Sequence, residues 1–175
     1  TGYQCNLGVV SSIAKQGDII FSDKLNHASI IDGIKLSNAT FYRYKHLDYN
    51  HLESLLQKYR NKYKNAFIIS ESIFSMDGDV ASVEKLIELK KKYNCVLMVD
   101  EAHAFGVFGK NLCGYFENNL DDIDIITATF GKALASQGAF AVANKDIINF
   151  LINKARSFIF STAIPSASVL WANWL

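Results

Sequence analysis

The sequence predicts an α/β domain in which helices cover both faces of a mostly parallel β-sheet. Short, wholly apolar segments such as 66–70 and 96–99 alternate along the chain with segments of helical periodicity. Strands that are apolar on both sides are typical of a parallel sheet buried between two layers of helices. The chain of 175 residues, half of them hydrophobic, suffices for one domain with a sizeable core.

The predicted elements alternate from one end of the chain to the other. Short, mainly apolar segments predict strands at 18–22, 66–70, 96–99, 123–129 and 139–143, and residues 40–44 are predicted to be extended as well. Helical spacing predicts helices at 5–15, 27–36, 48–63, 82–93 and 145–155. An α/β architecture requires this alternation.

Composition narrows the kinds of partner. The net charge of +1 gives no reason to expect nucleic acid or an anionic membrane as a partner. No apolar run approaches the ~20 residues that span a bilayer, and no secretory signal is visible at the start. Cys5, Cys95 and Cys113 form no CxxC pair, which predicts free thiols in a reducing cytoplasm and no metal site.

Both ends of the chain resemble cuts through folded structure. The sequence begins at Thr1 without Met and ends at Leu175 without a polar tail. We therefore expect residues 1–175 to form one domain of a longer protein.

Polar side chains follow four of the predicted strands. They include His27 after the first strand, Glu71 after the third, Asp100 and His103 after the fourth, and Lys132 after the fifth. If these strands are parallel, their carboxyl ends meet along one rim, where ligands bind in open α/β sheets. A chemical site is therefore expected there.

Lys132 is the candidate nucleophile of this rim. An amine beside apolar surroundings has a lowered pKa, which makes it reactive toward aldehydes. An isolated lysine at this position would more simply extend its ammonium into solvent. The glycine turn at Gly2 opens a helix whose N-terminus suits a phosphate, so an aldehyde phosphate is one ligand that could use both ends of the site.

Residues 100–103, Asp-Glu-Ala-His, allow a second interpretation. The same four letters name the DEAH-box helicases, in which the acids organise Mg²⁺ around ATP. That class requires a G-x-x-x-x-G-K-[ST] phosphate loop, and neither Gly109-Lys110 nor Gly131-Lys132 continues with Ser or Thr. A nucleotide-dependent ATPase stays open only if another segment supplies the loop.

The combined motifs resemble those of the α-oxoamine synthases, which are fold-type I pyridoxal 5'-phosphate enzymes. The matching segments lie at 1–6, 26–29, 74–79, 99–106 and 129–134, in the family's order and spacing. The chain corresponds to the large, cofactor-binding domain. Two positions depart from the family: Ala135 stands where a glycine is usual after Lys-Ala-Leu, and Leu47 interrupts the usual His-Asn-Asp.

The resemblance implies a role for each matching residue. Lys132 would hold the cofactor as a Schiff base, and Asp100 would pair with the pyridine nitrogen. His103 and Ser75 would lie at the O3' edge of the ring, and His27 would stack on the ring and touch the substrate. The phosphate would be bound by Gly2, Tyr3, Thr129 and, from a partner subunit, Thr162. Asn6 and Glu71 would support these groups from behind, whereas His46 and His51 are expected to be solvated.

The resemblance also implies a reaction. It would be the decarboxylative condensation of a small amino acid, L-alanine in the biotin-synthesis branch, with a pimeloyl thioester, in a homodimer with a shared active site. The open alternatives are another branch, such as 2-amino-3-ketobutyrate CoA ligase, and an inactive truncated dimerisation domain. Assays with different thioester substrates would separate the enzyme branches. In the family the small domain supplies contacts to the substrate carboxylate, so a truncated domain is expected to bind cofactor but to turn over poorly.

Overall fold

The computed structural model describes residues 1–174 as a six-stranded sheet flanked by helices. Leu175, the last residue of the predicted domain, lies outside the described residues. The strands are β1 (Ile19–Asp23), β2 (Thr40–Tyr44), β3 (Ala66–Glu71), β4 (Val96–Asp100), β5 (Ile125–Thr129) and β6 (Ala139–Ala143). The helices are α1 (Gly2–Ile13), α2 (Ala28–Ser37), α3 (Tyr49–Tyr59), α4 (Val83–Tyr93), α5 (Lys145–Lys154), α6 (Arg156–Ile159) and α7 (Ser166–Trp174).

The sheet has the order β2-β1-β3-β4-β5-β6, and its first five strands are parallel. The register places Glu71 opposite Asp100 and Asp100 opposite Thr127. The carboxyl ends of β3 and β4 are therefore level and β5 extends two residues further, so the polar residues that follow these strands lie along one rim, as expected for parallel strands.

Strand β6 pairs with β5 in the antiparallel direction, so the sheet is mixed at this edge. Only residues 130–138 join the two strands, and a parallel connection needs a dozen residues or more. The connection is instead a hairpin loop, closed by hydrogen bonds from Phe130 N–H to the Gly138 carbonyl and from Ser136 N–H to the Phe130 carbonyl. Lys132 lies in this loop.

Two hydrophobic cores lie on opposite faces of the sheet. Alternate residues of β1 divide between them: Ile19 and Phe21 pack in the core beneath α3 and α4, and Ile20 packs in the core beneath α1 and α2. The same alternation holds along β3 and β4, as the pleat requires. Gly33 lets α2 approach α1 closely, since a Cβ there would meet the Val10 Cβ at 2.9 Å.

The first helix begins at the glycine turn, as expected, and therefore earlier than the range 5–15 given by helical spacing alone. It starts at Gly2, because Thr1 and Gln4 form a capping box in which Thr1 Oγ1 accepts the Gln4 N–H at 3.3 Å. The third helix ends at Tyr59 and continues as a 3₁₀ turn, Arg60–Lys62. Within residues 1–174, no helix has both the length and the apolarity needed to span a bilayer.

Candidate functional site

A cleft of about 170 Å³ opens at the rim formed by β3, β4 and β5. The polar residues of α1, of the α2 start and of the β5–β6 loop converge on it. Its walls are formed by Gly2, Tyr3, Asn6, His27, Ser29, Glu71, Asp100, Ala102, Thr129, Gly131 and Lys132. Eight of these were expected from the sequence: six as cofactor or substrate contacts, and Asn6 and Glu71 as the residues that support them.

Asp100 is the buried carboxylate of the cleft, with only 5% of its surface exposed. Its Oδ1 accepts the Ala102 N–H at 2.9 Å, and its Oδ2 accepts a hydrogen bond from Asn6 Nδ2 at 2.6 Å. These two donors fix the orientation of the carboxylate and compensate for part of its lost hydration.

Asn6 uses every hydrogen-bonding atom of its amide group. Besides the bond to Asp100, Nδ2 donates to Ser29 Oγ at 3.1 Å, and Oδ1 accepts from Thr127 Oγ1 at 2.8 Å. Asn6, Ser29 and Thr127 are all buried. One side chain of α1 therefore joins the ends of β4 and β5 to the start of α2.

His27 precedes α2 as its N-cap residue. Its Nδ1 accepts the Ser29 backbone N–H at 3.2 Å and lies 2.7 Å from Ser29 Oγ. Because Ser29 Oγ already accepts from Asn6, its own proton is free to point at Nδ1. The neutral imidazole then carries its proton on Nε2. A chain of hydrogen bonds thus runs from Asp100 through Asn6 and Ser29 to His27.

Glu71 lies beside Asp100 and is also buried. Burial raises the pKa of Glu71 to about 7, and the neighbouring Asp100 charge adds to the effect. The His27 backbone N–H, which donates to Glu71 Oε1 at 2.5 Å, and the charge of Lys132 act in the opposite direction. Glu71 therefore changes charge near neutral pH at the edge of the cleft.

Lys132 Nζ lies 2.7 Å from His103 Nε2. Burial lowers the pKa of Lys132, against the opposing charges of Asp100 and Glu71. Burial also lowers the pKa of His103, and the Lys132 charge lowers it further. Both shifts favour the neutral forms, in which an amine and an imidazole can share a hydrogen bond. Although Lys132 is exposed as a residue, its amine end lines the cleft.

The opposite end of the cleft is formed by Gly2, Thr129 and Gly131. A Cβ at Gly2 would meet the Thr129 Cβ at 3.1 Å, so the close approach of α1 to β5 requires a glycine here. Thr129 Oγ1 accepts the Gly131 N–H at 3.1 Å. The first turn of the twelve-residue helix α1 directs free backbone N–H groups at the same end, as anion sites at helix N-termini do.

Three of the expected cofactor-binding residues lie outside the walls of this cleft: His103, which contacts the wall residue Lys132, Ser75 and Thr162. Ser75 is exposed at the tip of the loop between β3 and α4, and Thr162 is exposed between α6 and α7. Three wall residues had no role assigned from the sequence: Ser29, Ala102 and Gly131. Ser29 belongs to the Asn-His-Ala-Ser segment, and its place two residues after His27 could have indicated an N-cap contact.

Glu101 turns away from Asp100 and is fully buried. It accepts hydrogen bonds from Ser72 Oγ and from the backbone N–H groups of Tyr115 and Phe116, the last at 2.9 Å. Glu101 therefore anchors the loop after β4. The paired acids that a DEAH-type nucleotide site needs do not face one common cavity here.

The expectation that His46 is solvated is wrong. Its Nδ1 lies 2.9 Å from Asp23 Oδ1, and its Nε2 lies 3.1 Å from Asp79 Oδ2. Asp23 and Asp79 are remote from His46 in sequence, and only the folded chain brings these three groups together. His51 is partly buried as well, and its Nδ1 accepts the Lys45 N–H at 3.0 Å.

Comparison with known families matches residues 1–173 to the family described as aminotransferase class I and II. A putative 8-amino-7-oxononanoate synthase from Glaesserella parasuis serovar 5 is 49% identical over 178 residues, covering 100% of this chain and 47% of the relative. The 8-amino-7-oxononanoate synthase of Chlorobaculum parvum is 48% identical over 98% of this chain and 44% of the relative. The chain thus spans about half the length of these relatives.

Solved structures show the same architecture. A serine palmitoyltransferase from S. paucimobilis with a bound PLP–myriocin adduct superposes with a TM-score of 0.94 at 31% identity, over 99% of this chain and 45% of the other. An 8-amino-7-oxononanoate synthase from Francisella tularensis superposes with a TM-score of 0.79 at 37% identity, over 99% of this chain and 51% of the other.

The fold and the rim site define a fold-type I pyridoxal-phosphate transferase domain. This chain belongs to the aminotransferase class I and II family, and its relatives place it with the α-oxoamine synthases. These findings confirm the expected family, the expected fold class and the expected cofactor, pyridoxal 5'-phosphate.

Proposed function

We propose that this chain is the cofactor-binding domain of an 8-amino-7-oxononanoate synthase, which joins L-alanine to a pimeloyl thioester with loss of CO₂. The observation that carries the proposal is the cleft itself, where an anchored Asp100, His27 and Lys132 line one cavity and His103 contacts the Lys132 amine from outside its wall. The 48–49% identity to proteins of that name supports the choice of reaction.

The residues present fit pyridoxal 5'-phosphate at both ends. A buried carboxylate, Asp100, suits the protonated ring nitrogen, and a glycine-led helix with Thr129 suits the phosphate. Lys132 is the only lysine in the cleft wall described by the structure, and it supplies the amine. When bound, the cofactor supplies an electron sink for negative charge at the amino acid Cα.

Asp100 holds the proton of the ring nitrogen in this proposal. Its two oxygens are fixed by Asn6 and by the Ala102 N–H, so the carboxylate does not need to reorganise during the reaction. A substitution that removes the charge of the Asp100 side chain but keeps its shape isolates this role. Asp100→Asn is expected to retain cofactor far better than it retains turnover.

Lys132 Nζ takes the Cα proton of the bound amino acid. The lowered pKa of Lys132 keeps a fraction of the amine neutral, as a general base requires. His103 Nε2, 2.7 Å away, orients the amine and is itself neutral because its pKa is lowered. The pair can therefore hold and pass one proton within the cleft.

His27 binds the substrate through Nε2. Ser29 occupies Nδ1, so the Nε2–H of the neutral ring is the donor that remains for a substrate carbonyl oxygen. Glu71 fixes the His27 backbone and with it the ring's position over the cleft. This arrangement supports a role for His27 in holding the acyl group.

We also propose how the protein assembles and where it is located. A homodimer with a shared active site, to which Thr162 would contribute a phosphate contact, is proposed from the family resemblance, as is a cytoplasmic location. Residues 1–174 form one sheet with its two cores, which supports the description of the chain as one cofactor-binding domain. Ser75 would join the ring edge from the loop after β3.

The test is a direct assay of the condensation. The protein is loaded with pyridoxal 5'-phosphate and given L-alanine with pimeloyl-CoA or the pimeloyl carrier protein, and product is followed by mass spectrometry together with CO₂ release. Formation of 8-amino-7-oxononanoate supports the proposal. Equal or greater turnover of glycine with acetyl-CoA would assign the ketobutyrate-ligase branch instead.

The similarity to a serine palmitoyltransferase makes L-serine the second amino acid to test. A preference for L-serine with a long-chain acyl-CoA would contradict the alanine assignment. Cofactor uptake without turnover of any of these pairs would identify an inactive domain. ATP hydrolysis without cofactor uptake would select the nucleotide-dependent alternative.

A further inference from the structure

His46 lies between two carboxylates at the carboxyl rim of the sheet. Its Nδ1 is 2.9 Å from Asp23 Oδ1 and its Nε2 is 3.1 Å from Asp79 Oδ2. Asp23 ends β1 and is completely buried, whereas about half of the Asp79 side chain is exposed. The edge of the His46 ring also contacts Phe74, with 4.5 Å between ring centroids.

Both ring nitrogens of His46 must donate in this arrangement. A carboxylate only accepts, and a neutral imidazole has a single N–H, so bonds to two carboxylates require the imidazolium form. Asp23 also accepts the Leu25 N–H and the Leu47 N–H, which identifies it as an anion held in place. The cation pairs with this buried charge.

The charges around His46 agree with this geometry. Burial lowers the pKa of His46, but the hydrogen bonds and charges of Asp23 and Asp79 outweigh burial and raise it above 6.5. Burial raises the pKa of Tyr44 on β2 and of Tyr49 on α3, and the charge of Asp23 raises both further. Both phenols therefore stay neutral. The charge of Glu84, at the start of α4, also raises the pKa of Tyr49.

Asp79 belongs to the loop between β3 and α4, residues 72–82, which we call the β3–α4 loop. The loop is a narrow hairpin: Phe74 N–H bonds to the Asp79 carbonyl, and Gly78 N–H bonds to the Phe74 carbonyl. Phe74 is buried at its base, while Met76 at its tip is 89% exposed. The loop begins beside the active cleft, where Ser72 N–H donates to the Asp100 carbonyl.

We propose that His46, as an imidazolium, is a positioning residue that pins the base of the β3–α4 loop to β1 and so sets where Ser75 lies at the rim. The ion pair joins a fixed, buried anion to an otherwise exposed turn. The consequence for Ser75 rests on the proposed function, in which Ser75 contacts the cofactor. The link from Asp23 through His46 to Asp79, which we call the clamp, does not depend on the proposed function.

The chain offers matched variants. In His46→Asn the amide can still donate to Asp23, as Nδ1 does, but it cannot reach Asp79. Asp79→Asn removes the charge at the other end of the clamp and lies at a half-exposed position that the fold tolerates. Asp77→Asn makes the same charge change two residues away in the same loop and serves as the control.

The measurement is amide hydrogen exchange of the cofactor-loaded protein at pH 6.5, read at Phe74 and Gly78, together with the NMR titration of the His46 ring. Exchange is expected to be about fivefold faster in His46→Asn and Asp79→Asn and unchanged in Asp77→Asn. The His46 midpoint is expected above 6.5 and should fall in Asp79→Asn. Dissociation constants for pyridoxal 5'-phosphate should rise about threefold in the two clamp variants.

Equal exchange in all four proteins, or an Asp77→Asn effect as large as that of Asp79→Asn, would overturn the clamp. So would a His46 midpoint at or below 6.5. Faster exchange with unchanged cofactor affinity would overturn the link to Ser75. A protein that binds no cofactor would contradict the proposed function, while exchange and titration would still decide the clamp.

Discussion

Asn6 Nδ2 donates to Asp100 Oδ2 at 2.6 Å, and this bond joins residues that lie 94 positions apart in the sequence. It connects the first helix to the carboxylate proposed to hold the cofactor ring. Asn6 also bonds to Ser29 and Thr127, so one amide joins two strands of the rim, β4 and β5, to the start of α2.

Asn6→Ala is therefore expected to damage both stability and cofactor binding. The change removes one hydrogen-bond partner each from Asp100 and Ser29 and the Asn6 partner of Thr127 in a buried site, which costs about 2 kcal/mol in the free energy of unfolding. Urea unfolding with and without pyridoxal 5'-phosphate measures both effects. A variant of wild-type stability and cofactor affinity would contradict the organising role.

Gly2→Ala tests the phosphate end of the cleft. The new Cβ would meet the Thr129 Cβ at 3.1 Å and crowd the space between α1 and β5. We expect the dissociation constant of pyridoxal 5'-phosphate to rise about tenfold. Gly131→Ala, at the same end of the cleft, is expected to have a smaller effect, because a Cβ there would lie 3.4 Å from Thr129 Oγ1, which is an ordinary contact distance. Equal effects from both changes would contradict the idea that the close approach of Gly2 to Thr129 shapes the phosphate end of the cleft.

Glu71→Gln tests the raised pKa at the cleft edge. A carboxyl whose folded pKa is about 7, against 4.5 when unfolded, binds its proton more tightly in the folded state. Its contribution to stability is thus present below pH 4.5 and is lost as the pH rises to 7. Glutamine still accepts the His27 N–H but has no charge.

The wild-type protein should therefore lose stability relative to Glu71→Gln between pH 5 and pH 8, by on the order of 2 kcal/mol. Denaturant unfolding at the two pH values measures this difference. Parallel pH profiles for the two proteins would show that Glu71 titrates as it does in the unfolded chain.

The two departures from the family motifs fall on strained backbone. Ala135 has φ 45° and Leu47 has φ 52°, both in the left-handed region that glycine and asparagine tolerate best. These are the positions where the resembling family usually has Gly and Asn. The Ala135 N–H closes the turn that carries Lys132 by donating to the Lys132 carbonyl at 3.0 Å.

Ala135→Gly is expected to raise the free energy of unfolding by up to about 1 kcal/mol, because relief of the strained φ exceeds the extra entropy of glycine in the unfolded chain. Thermal unfolding measures this. Leu47→Asn relieves the same kind of strain but loses apolar packing, so its gain is smaller. A destabilised Ala135→Gly would contradict the strain at this turn.

The sequence was sufficient to predict the strands, because apolar runs bounded by polar residues need only local information. It was also sufficient to predict that the polar residues after these strands lie along one rim, since parallel strands bring their carboxyl ends together. The direction of β6 was within reach too: nine residues between 129 and 139 leave no room for a crossover helix.

The network behind the cleft was not predictable in the same way. His46 pairs with Asp23 and Asp79, which lie 23 and 33 residues away, so no local sequence pattern indicates these contacts. The same is true of the hydrogen bonds of Asn6. Ser29 and Glu101 illustrate the same limit: each belongs to a short motif, but only the folded chain shows that one faces the cleft and the other a loop.

In the proposed function, Lys132 is the residue to which pyridoxal 5'-phosphate attaches. The most direct measurement is borohydride reduction of the cofactor-loaded protein, followed by peptide mass spectrometry. We expect a visible absorption band that reduction removes. We also expect a single cofactor label on the peptide that contains Lys132, and Lys132→Ala should abolish this label. A protein that takes up no cofactor, or a label on another lysine, would contradict it.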